Sequence, residues 1–444
     1  MDKNRDQPTV SVIIPTHNRS ASLRRTLDAL CVQTYPPQQV EVLVVADGCV
    51  DDTAEMLRRY RAPFALHVIE QPGQGAASAR NQGAAHATAQ LLLFLDDDIE
   101  PTPSLIEAHV DAHQRQPGQA VMGPYPPAFR GRTDFFRTEL RAWWKNKFHA
   151  VGQPGHRYTY RDLLSGNLSL EAELFACVSG FDCAFKDCGG EDYEFGVRLI
   201  KAGVKITFAI DALAYHYEHE TMSLDRIFRR LRQEGGSDVL IGLRHRELRP
   251  TLRMFRFEAP WLSVSNLLHA LVFRWPAAGD RLATWMHRVL NLLERAALRG
   301  YWRMLFRALG GYWYWRGVAE KLGTRRALAG FLQGGPARTD ESGPEIEIDL
   351  REGLEAAEQR LNEERPAGVR IRYGKQAVGR IAPQLGAERL RGDHLRPVLA
   401  THLARPLLHA LALERALDVS VEVSQSLAVH LAQPSGGNYV GKGA

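Results

Sequence analysis

Cysteine is scarce in this sequence. The sequence also shows neither an apolar leader nor a long apolar run. Five cysteines in 444 residues, an odd number without CxxC spacing, favour a reducing compartment and argue against a zinc site. The polar start MDKNRDQPTV predicts no secretory signal. The longest uncharged run within residues 241–330 covers 259–273, contains Ser, Asn and His, and falls short of the ~20 apolar residues that span a bilayer. We therefore expect a cytoplasmic protein without a transmembrane segment.

Two glycine-rich nucleotide-binding patterns are also missing. A dinucleotide-binding oxidoreductase needs GxGxxG after a strand, and the stretch QPGQGAA at 71–77 fits that pattern poorly. A sugar-nucleotidyl transferase would be expected to hold its triphosphate in a basic, glycine-rich loop after the first strand. The corresponding segment here, PTHNR at 15–19, contains no glycine. Both classes are therefore weaker alternatives.

The first hundred residues alternate apolar strand patterns with helix patterns, which predicts an α/β fold with a parallel sheet and crossover helices. A later helix, EDYEFGVRLIKAG at 191–203, ends at Gly203. The predicted strands are TVSVIIP (9–15), VEVLVVAD (40–47), ALHVIEQ (65–71), LLLFL (91–95) and, after that helix, VKITFAI (204–210).

The composition changes along the chain and predicts three parts. Residues 1–240 form the α/β domain, and residues 241–331 read as a basic, Trp-rich helical segment. Residues 332–344 are rich in Gly, Pro and mixed charge, which is typical of a linker. Residues 345–444 combine two strand patterns with a helix pattern interrupted by proline, which predicts a small α+β unit whose role the sequence does not indicate.

Polar clusters follow three of the predicted strands. They are Thr16 to Arg19, Asp47, and the triplet Asp96 to Asp98. In an open parallel sheet, ligands bind beyond the carboxyl ends of the strands. The three adjacent aspartates form either a solvated turn or a site in which a positive group compensates their repulsion. An acidic crevice suits a nucleobase or ribose, and it would bind phosphate through Mg²⁺ or Mn²⁺.

Seven motifs occur in an order that resembles glycosyltransferase family 2, over roughly residues 9–240. They are SVIIPTHNR, VVADGCVDDT, GQGAASARNQGAAHA, LLLFLDDDIEP, SGNLSL, VSGFDCAF and GGEDYEFGVRLIKAG. The resemblance implies the GT-A fold, a Rossmann-like nucleotide-diphospho-sugar transferase domain. It also implies transfer of a sugar from a nucleotide-activated donor with inversion of configuration.

The resemblance also implies roles for residues of the donor side. Asp98 would bind the metal that bridges the diphosphate, with Asp97 in support. The residues implied to contact or shape the nucleotide sugar are Thr16 and Arg19 at the nucleoside, Asp47 at the base, Arg80 and Asn81 in the sugar-nucleotide pocket, and Asp96 at the ribose. One departure from the family pattern, Gln74 before Gly75, puts phosphate contacts there in doubt.

On the acceptor side the family uses the aspartate of an ED pair as the catalytic base, which is Asp192 here, with Glu191 beside it. Inversion requires a carboxylate opposite the leaving diphosphate, to take the proton of the acceptor hydroxyl. Both acids could instead stabilise a helix N-terminus. Gly166 and Asn167 would shape the sugar and acceptor side. His216 would lie near the metal, although a buried structural histidine fits the sequence too.

These expectations describe an inverting glycosyltransferase that uses a nucleotide-diphosphate sugar, with a uridine nucleotide favoured. The alternatives are a non-catalytic protein that binds nucleotide sugars or glycans, and a sugar-nucleotidyl transferase. The acceptor stays open among a glycan, a lipid-linked glycan, a small molecule and a protein.

Residues 241–330 carry sixteen Lys or Arg against five Asp or Glu. Two interpretations fit this window: a peripheral contact with an anionic membrane, on the inner face of the cell membrane, or a helical subdomain that packs its tryptophans inward. Nucleic acid is not expected, because no binding module accompanies the charge. The window's tryptophans are Trp261, Trp275, Trp285, Trp302, Trp313 and Trp315.

Overall fold

The computed structural model describes residues 10–128, 133–186, 189–217, 222–257, 270–333 and 343–415. The chain divides into two compact units. The first comprises residues 1–341 together with Leu385–Glu388, and the second comprises 342–384 and 389–444.

A seven-stranded sheet forms the centre of the first unit, in the order β3-β2-β1-β4-β7-β6-β8. β1 to β4 run parallel, β7 is antiparallel to both β4 and β6, and β8 is parallel to β6. The strands are β1 Val10–Thr16, β2 Val40–Asp47, β3 Ala65–Gln71, β4 Leu91–Leu95, β6 Gln119–Met122, β7 Asn167–Glu171 and β8 Lys205–Phe208, and a separate pair is formed by β5 Ile99–Pro101 and β9 Ala214–His216. The predicted α/β architecture is confirmed.

Helices cover the sheet because their apolar sides match its buried strands. In α1, for example, Leu23, Leu27 and Leu30 recur at helical spacing and are buried against the sheet. The helices up to β9 are α1 Ser20–Leu30, α2 Thr53–Arg59, α3 Ala76–His86, α4 Leu105–Arg115, α5 Phe135–Val151, α6 Ala172–Cys177 and α7 Glu191–Lys201.

The sequence patterns predicted the parallel strands but missed β6 and β7. Both are short, and β7 begins within the motif SGNLSL (165–170), where small and polar residues hide the strand pattern. At the start of α2, Asp51 accepts a hydrogen bond from the Thr53 amide, and Asp52 makes no side-chain cap. The predicted end of α7 at Gly203 is correct, since Gly203 adopts φ +74°.

The basic region folds as helices that belong to the first unit. They are α8 Leu224–Arg244, α9 Pro276–Arg295, α10 Arg299–Leu322 and α11 Arg325–Gln333. Position 240, where the sequence predicts the end of the α/β domain, lies inside α8. Trp302 and Trp315 are buried, whereas Trp275 and Trp285 are exposed. Trp261 and most of the uncharged run 259–273 lie outside the described residues, as does most of the predicted linker 332–344.

The second unit is a small α+β structure. β10 Glu345–Asp349 and β11 Gly368–Tyr373 are parallel neighbours, and β12 Gln376–Ile381 pairs antiparallel with β11. The helix α12 Leu354–Glu364 connects β10 to β11, and α13 Leu395–Thr401 follows. Ile348, Leu361, Val369, Ile371 and Leu395 form part of the apolar core of this unit. Among the described residues of the chain, no helix is both long and apolar enough to cross a membrane.

Candidate active site

The candidate site lies where the chain crosses from one side of the sheet to the other. β2 and β3 lie on one side of β1, and β4 lies on the other, so the carboxyl ends of β1 and β4 flank a topological switch point. Thr16 ends β1, and the triplet Asp96 to Asp98 follows β4 directly. The predicted clustering of these residues is therefore what the sheet order produces.

Two of the three aspartates are buried, and each has a positive or hydrogen-bonding partner. The Arg19 guanidinium donates from one nitrogen, Nη1, to Asp97 at 3.0 Å and to Asp98 at 2.6 Å. Asp97 also accepts a 2.7 Å hydrogen bond from the Thr16 hydroxyl. His216 Nε2 lies 3.2 Å from the other Asp98 oxygen. The solvated-turn interpretation of the triplet is thus wrong for Asp97 and Asp98.

This arrangement separates the acidities of the two buried carboxyls. Burial opposes the ionisation of Asp98, but His216 and Arg19 outweigh it and hold the pKa of Asp98 well below its ordinary value. At Asp97 burial prevails over Arg19, and the neighbouring Asp98 charge adds to it, which raises the pKa of Asp97 to about 7. Asp98 is therefore the permanent negative charge of the pair.

Arg80, buried on α3, joins the two halves of the site. Its Nη2 donates to Asp96 at 2.8 Å, and its Nη1 donates to Glu191 at 3.3 Å and lies 4.0 Å from Asp192. Burial opposes its charge, but the three carboxylates together raise the pKa of Arg80 above its ordinary value. One guanidinium therefore connects the end of β4 to the start of α7.

Asp192 lies in the first turn of α7, with its carboxylate about one-fifth exposed. The Ser165 hydroxyl donates to one of its oxygens. Burial, followed by the charge of Glu191 and opposed by Arg80, raises the pKa of Asp192 to about 7. Ser165 was not singled out in the sequence, although it directly precedes the noted Gly166-Asn167. The carboxylate is oriented and has the acidity that suits a base at neutral pH.

Asp47, at the end of β2, organises the loop that precedes α3. Its carboxylate accepts 2.7 Å hydrogen bonds from the Gln71 side chain and from the backbone amides of Gln74 and Gly75. A carboxylate has about four acceptor positions, so one is left for a ligand. Gly75 adopts φ +93°, and a Cβ there would lie 2.4 Å from the Lys186 carbonyl oxygen. Glycine at position 75 therefore meets a conformational requirement, while Gln74 is held through its backbone amide.

Three residues predicted to contact the donor have their side chains engaged elsewhere. The Asn81 amide donates to the Phe181 carbonyl and accepts from the Phe181 amide, at 2.7 and 2.8 Å, and so fixes the loop before α7. Asn167 is fully buried between His109 and the Ala212 carbonyl, each at 2.8 Å. The Thr16 hydroxyl donates to Asp97. These hydrogen bonds hold the site together, and a direct contact of these side chains with donor or acceptor stays a prediction.

Gly166 lies beside the acidic end of β4. A Cβ at this position would lie 2.7 Å from a carboxylate oxygen of Asp96. The Gly166 carbonyl also accepts a 3.2 Å hydrogen bond from the Asp96 amide. Glycine at this position leaves the space next to Asp96 open. Asp96 is itself the most exposed of the three aspartates, with a side chain one-third exposed.

The predicted metal ligands meet only in part the needs of a divalent cation. Asp98 and His216 are close together, but the described residues contain no group of three or more His, Cys, Asp or Glu side chains that could hold a metal. Mg²⁺ is commonly held by one or two carboxylates with phosphate oxygens and water. The donor set therefore fits a cation shared with a diphosphate. Arg19, with a side chain two-fifths exposed, would have to leave Asp98.

Comparison with known families assigns the part of the chain that contains the candidate site to glycosyltransferases. The pattern of Glycosyl transferase family 2 matches residues 11–177, and that of the N-terminal domain of galactosyltransferase matches residues 146–221. The chain carries a glycosyltransferase family 2 domain. The family-2 match includes β2 to β4 and the aspartate triplet, whereas the ED pair and His216 lie in the galactosyltransferase match.

Several curated proteins that resemble this chain are glycosyltransferases by name. Validoxylamine A glucosyltransferase of Streptomyces hygroscopicus subsp. limoneus is 34% identical over 237 residues, which make up 48% of this chain and 52% of the relative. Glycosyltransferase AglE of Haloferax volcanii is 39% identical over 105 residues, 23% of this chain and 34% of that protein. The chain spans about half the length of the Streptomyces relatives it matches.

Solved structures with a similar backbone include the mannosyltransferase PcManGT from Pyrobaculum calidifontis, in complex with GDP-Man and Mn²⁺. It is 20% identical, with a TM-score of 0.48 over 71% of this chain and 87% of that one. TarS of S. aureus (residues 1–349) in complex with UDP-GlcNAc is 18% identical, with a TM-score of 0.40 over 68% of this chain and 91% of that one.

Proposed function

We propose that this protein is an inverting glycosyltransferase that moves a sugar from a nucleoside diphosphate to an acceptor hydroxyl. The observation that carries the proposal is the position of Arg80. Its guanidinium contacts Asp96, at the end of β4, and Glu191, at the start of α7, and lies 4.0 Å from Asp192. The donor-side and acceptor-side acids thus lie close together in one crevice, which supports transfer between two bound substrates.

In this proposal Asp192 takes the proton from the acceptor hydroxyl as the oxygen attacks the anomeric carbon. The Ser165 hydroxyl fixes the carboxylate, and the raised pKa of Asp192, about 7, makes it an effective proton acceptor near neutral pH. Glu191 accepts hydrogen bonds from Arg80 and from the Gly189 amide. In this proposal it stabilises the start of α7 and does not accept the proton. The positive charge of Arg80 offsets the electrostatic repulsion among Asp96, Glu191 and Asp192.

On the donor side we propose that Asp96 accepts from the ribose hydroxyls and that Asp98 and His216 hold Mg²⁺ or Mn²⁺ together with the diphosphate. The cation, when bound, would neutralise charge that develops on the leaving diphosphate. Asp98 suits this role because it is a buried carboxylate whose two oxygens already face the positive Arg19 and the imidazole of His216. Arg19 compensates Asp97 and Asp98 before the donor enters, and its side chain, two-fifths exposed, would turn towards the phosphates when the donor binds.

The nucleobase of the donor and the class of acceptor are inferred from Asp47 and from the names of the relatives. The remaining acceptor position of Asp47 suits the imide N–H of uracil or guanine, so we propose a uridine or guanosine diphosphate sugar. The glucosyltransferase relatives favour a hexose, and their names include a small-molecule acceptor, validoxylamine A. A glycan and a lipid-linked glycan are further acceptors that the same base would serve.

The decisive experiment screens nucleotide sugars by thermal shift and then measures release of nucleoside diphosphate with Mn²⁺ in wild type and Asp192→Asn. General-base catalysis typically contributes 10² to 10⁴-fold, so the rate of transfer should fall by about that factor while donor binding barely changes. Equal transfer rates would mean another base. Donor binding without any turnover in wild type, across acceptors of all three classes, would favour the alternative of a nucleotide-sugar-binding protein.

A further inference from the structure

The helix α9 presents large apolar side chains to solvent along one side. Trp275, which precedes its first residue, is 54% exposed, and Leu282, Trp285 and Leu292 are 44, 59 and 60% exposed. At 3.6 residues per turn, these positions fall within about 100° of one another around the helix. The neighbouring side, with Gly279, Ala283 and Leu290, is buried against the protein. The exposed side is therefore a continuous apolar stripe rather than scattered side chains.

Exposed apolar residues concentrate in this part of the chain. Of the sixteen large apolar side chains that are exposed in the described residues, seven lie within positions 275–304. Besides the four on the stripe, Leu298, Tyr301 and Met304 continue the series into the start of α10. A soluble monomer rarely keeps so much apolar surface together without a use for it.

A row of arginines borders the stripe. Arg281, Arg288 and Arg295 are spaced seven residues apart, so they lie on one line along α9, next to the line of Trp285 and Leu292, and all three are exposed. None of the three forms an ion pair with an acidic side chain among the residues that the structure describes. Their charge is therefore available to a partner.

The acidic side chains of α9 point the other way. Asp280 accepts a 2.6 Å hydrogen bond from the Tyr312 hydroxyl and pairs with Arg316 at 3.2 Å. Glu294 accepts a 2.8 Å hydrogen bond from the Phe135 amide. Both carboxylates thus serve contacts within the protein, and the exposed side of the helix combines apolar groups with positive charge alone.

We propose that the stripe Trp275, Leu282, Trp285 and Leu292, with its arginine row, docks this protein on a bilayer that contains anionic phospholipid. α9 would lie in the plane of the interface, with its apolar side about 5–10 Å deep and the guanidinium groups at the phosphates. Tryptophan prefers this interfacial depth because its ring is apolar and its N–H is polar. The proposal does not depend on the glycosyl-transfer activity.

Charge decides against a second copy of the chain as the occupant. In a two-fold symmetric contact each residue of the surface meets the same surface, which would bring two rows of arginine together. Like charges facing each other across an interface are strongly unfavourable. A bilayer with anionic headgroups offers the complementary charge along the whole 20-residue helix.

The test is co-flotation of the full chain with vesicles of phosphatidylcholine, with or without phosphatidylglycerol. We expect binding to the anionic vesicles that weakens as salt is raised, because the charges are screened within about 8 Å at physiological ionic strength. Arg281→Gln, Arg288→Gln and Arg295→Gln combined should weaken binding on the order of 100-fold, since each surface arginine contributes about fivefold. Leu282→Ser with Trp285→Ser should weaken it at least about tenfold.

Matched controls separate this surface from general charge and hydrophobicity. Arg58→Gln, Arg61→Gln and Arg115→Gln remove the same charge from exposed positions on other helices and loops, and Ile210→Ser removes an exposed apolar side chain. These variants should bind vesicles like wild type. Circular dichroism confirms that each variant is folded.

Three results would overturn the proposal. The first is no binding to anionic vesicles even at low salt, and the second is equal weakening by the control triple variant. The third is a concentration-dependent dimer in light scattering that Leu282→Ser with Trp285→Ser abolishes, since the stripe would then be a protein interface.

Discussion

Gly190, the residue before α7, lies directly against Ser237 of α8: a Cβ on Gly190 would be only 2.4 Å from the Ser237 Cβ. Gly190 also adopts φ +143°, which side chains rarely tolerate. Asp192 follows two residues later. The helix that begins the basic region therefore packs against the segment that positions the proposed base, and the α/β domain and the helical region act as one structure around the site.

This contact predicts that bulk at position 237 disturbs transfer more than binding. Ser237→Val adds methyl groups where Gly190 leaves no room, and such overpacking typically costs about 1–3 kcal/mol. We expect transfer to fall by about tenfold or more while nucleotide affinity changes little. Ser237→Ala, which adds nothing, is the matched control and should be near wild type. If Val and Ala behave alike in steady-state kinetics, α8 does not position the base.

The pKa of Asp192, raised to about 7, predicts how transfer depends on pH. The base must be ionised, and its ionised fraction falls as the pH drops below that value. The measured kcat/KM should therefore decline by about tenfold per pH unit on the acid side of about 7 and level off above it.

Substitution of Glu191 tests whether Asp192 is the group that titrates in this profile. Its charge helps to raise the pKa of Asp192, so Glu191→Gln should lower that pKa and move the acid limb of the kcat/KM profile to lower pH. The exposed Glu173→Gln, on α6, removes the same charge elsewhere and should leave the profile in place. An unshifted profile in Glu191→Gln would assign the acid limb to another group.

The shared-metal arrangement at Asp98 predicts that cation and nucleotide bind together. Calorimetry should show weak Mn²⁺ binding to the protein alone and a strong gain in nucleoside diphosphate affinity when Mn²⁺ is added. Asp98→Ala should abolish that gain, because Asp98 is the ionised member of the pair. Asp97→Asn, which keeps a side chain able to bond Thr16 and Arg19, should have a milder effect. Tight Mn²⁺ binding without nucleotide would contradict the shared site.

Asp47 is predicted to influence nucleotide binding through the loop before α3 as well as through the base. Asp47→Ala leaves the Gln74 and Gly75 amides without their acceptor, and an unpaired buried group costs about 1–3 kcal/mol, so affinity should fall by about tenfold or more. Gln71→Ala removes one of the three bonds and should have a smaller effect. In wild type, uridine or guanosine diphosphate should bind better than adenosine diphosphate. Equally tight binding of all three would leave Asp47 only its role in the loop.

The location of the candidate site could be predicted because it depends on strand order. Apolar runs predicted β1 to β4, and polar residues after them could only collect at the carboxyl edge of a parallel sheet. The antiparallel β7 escaped prediction, since its partner strands are far away in the sequence and its pattern is interrupted by Ser and Asn. The orientation of Asn167 was not predicted either, because the burial of this side chain against His109 depends on α4 packing over β7.

By itself, the sequence determined the α/β class, the family resemblance and the identity of the acids in the site, because strand periodicity and motif order are local properties of the chain. Only the tertiary structure decided which charges meet. Arg19 pairs with Asp97 and Asp98, Arg80 joins Asp96 to Glu191, and Ser165 orients Asp192, across separations of 16 to 111 positions. The same holds for the tryptophans, of which Trp302 is buried and Trp285 exposed. Electrostatic pairing and burial depend on distances in space, and these exist only once the helices have packed against the sheet.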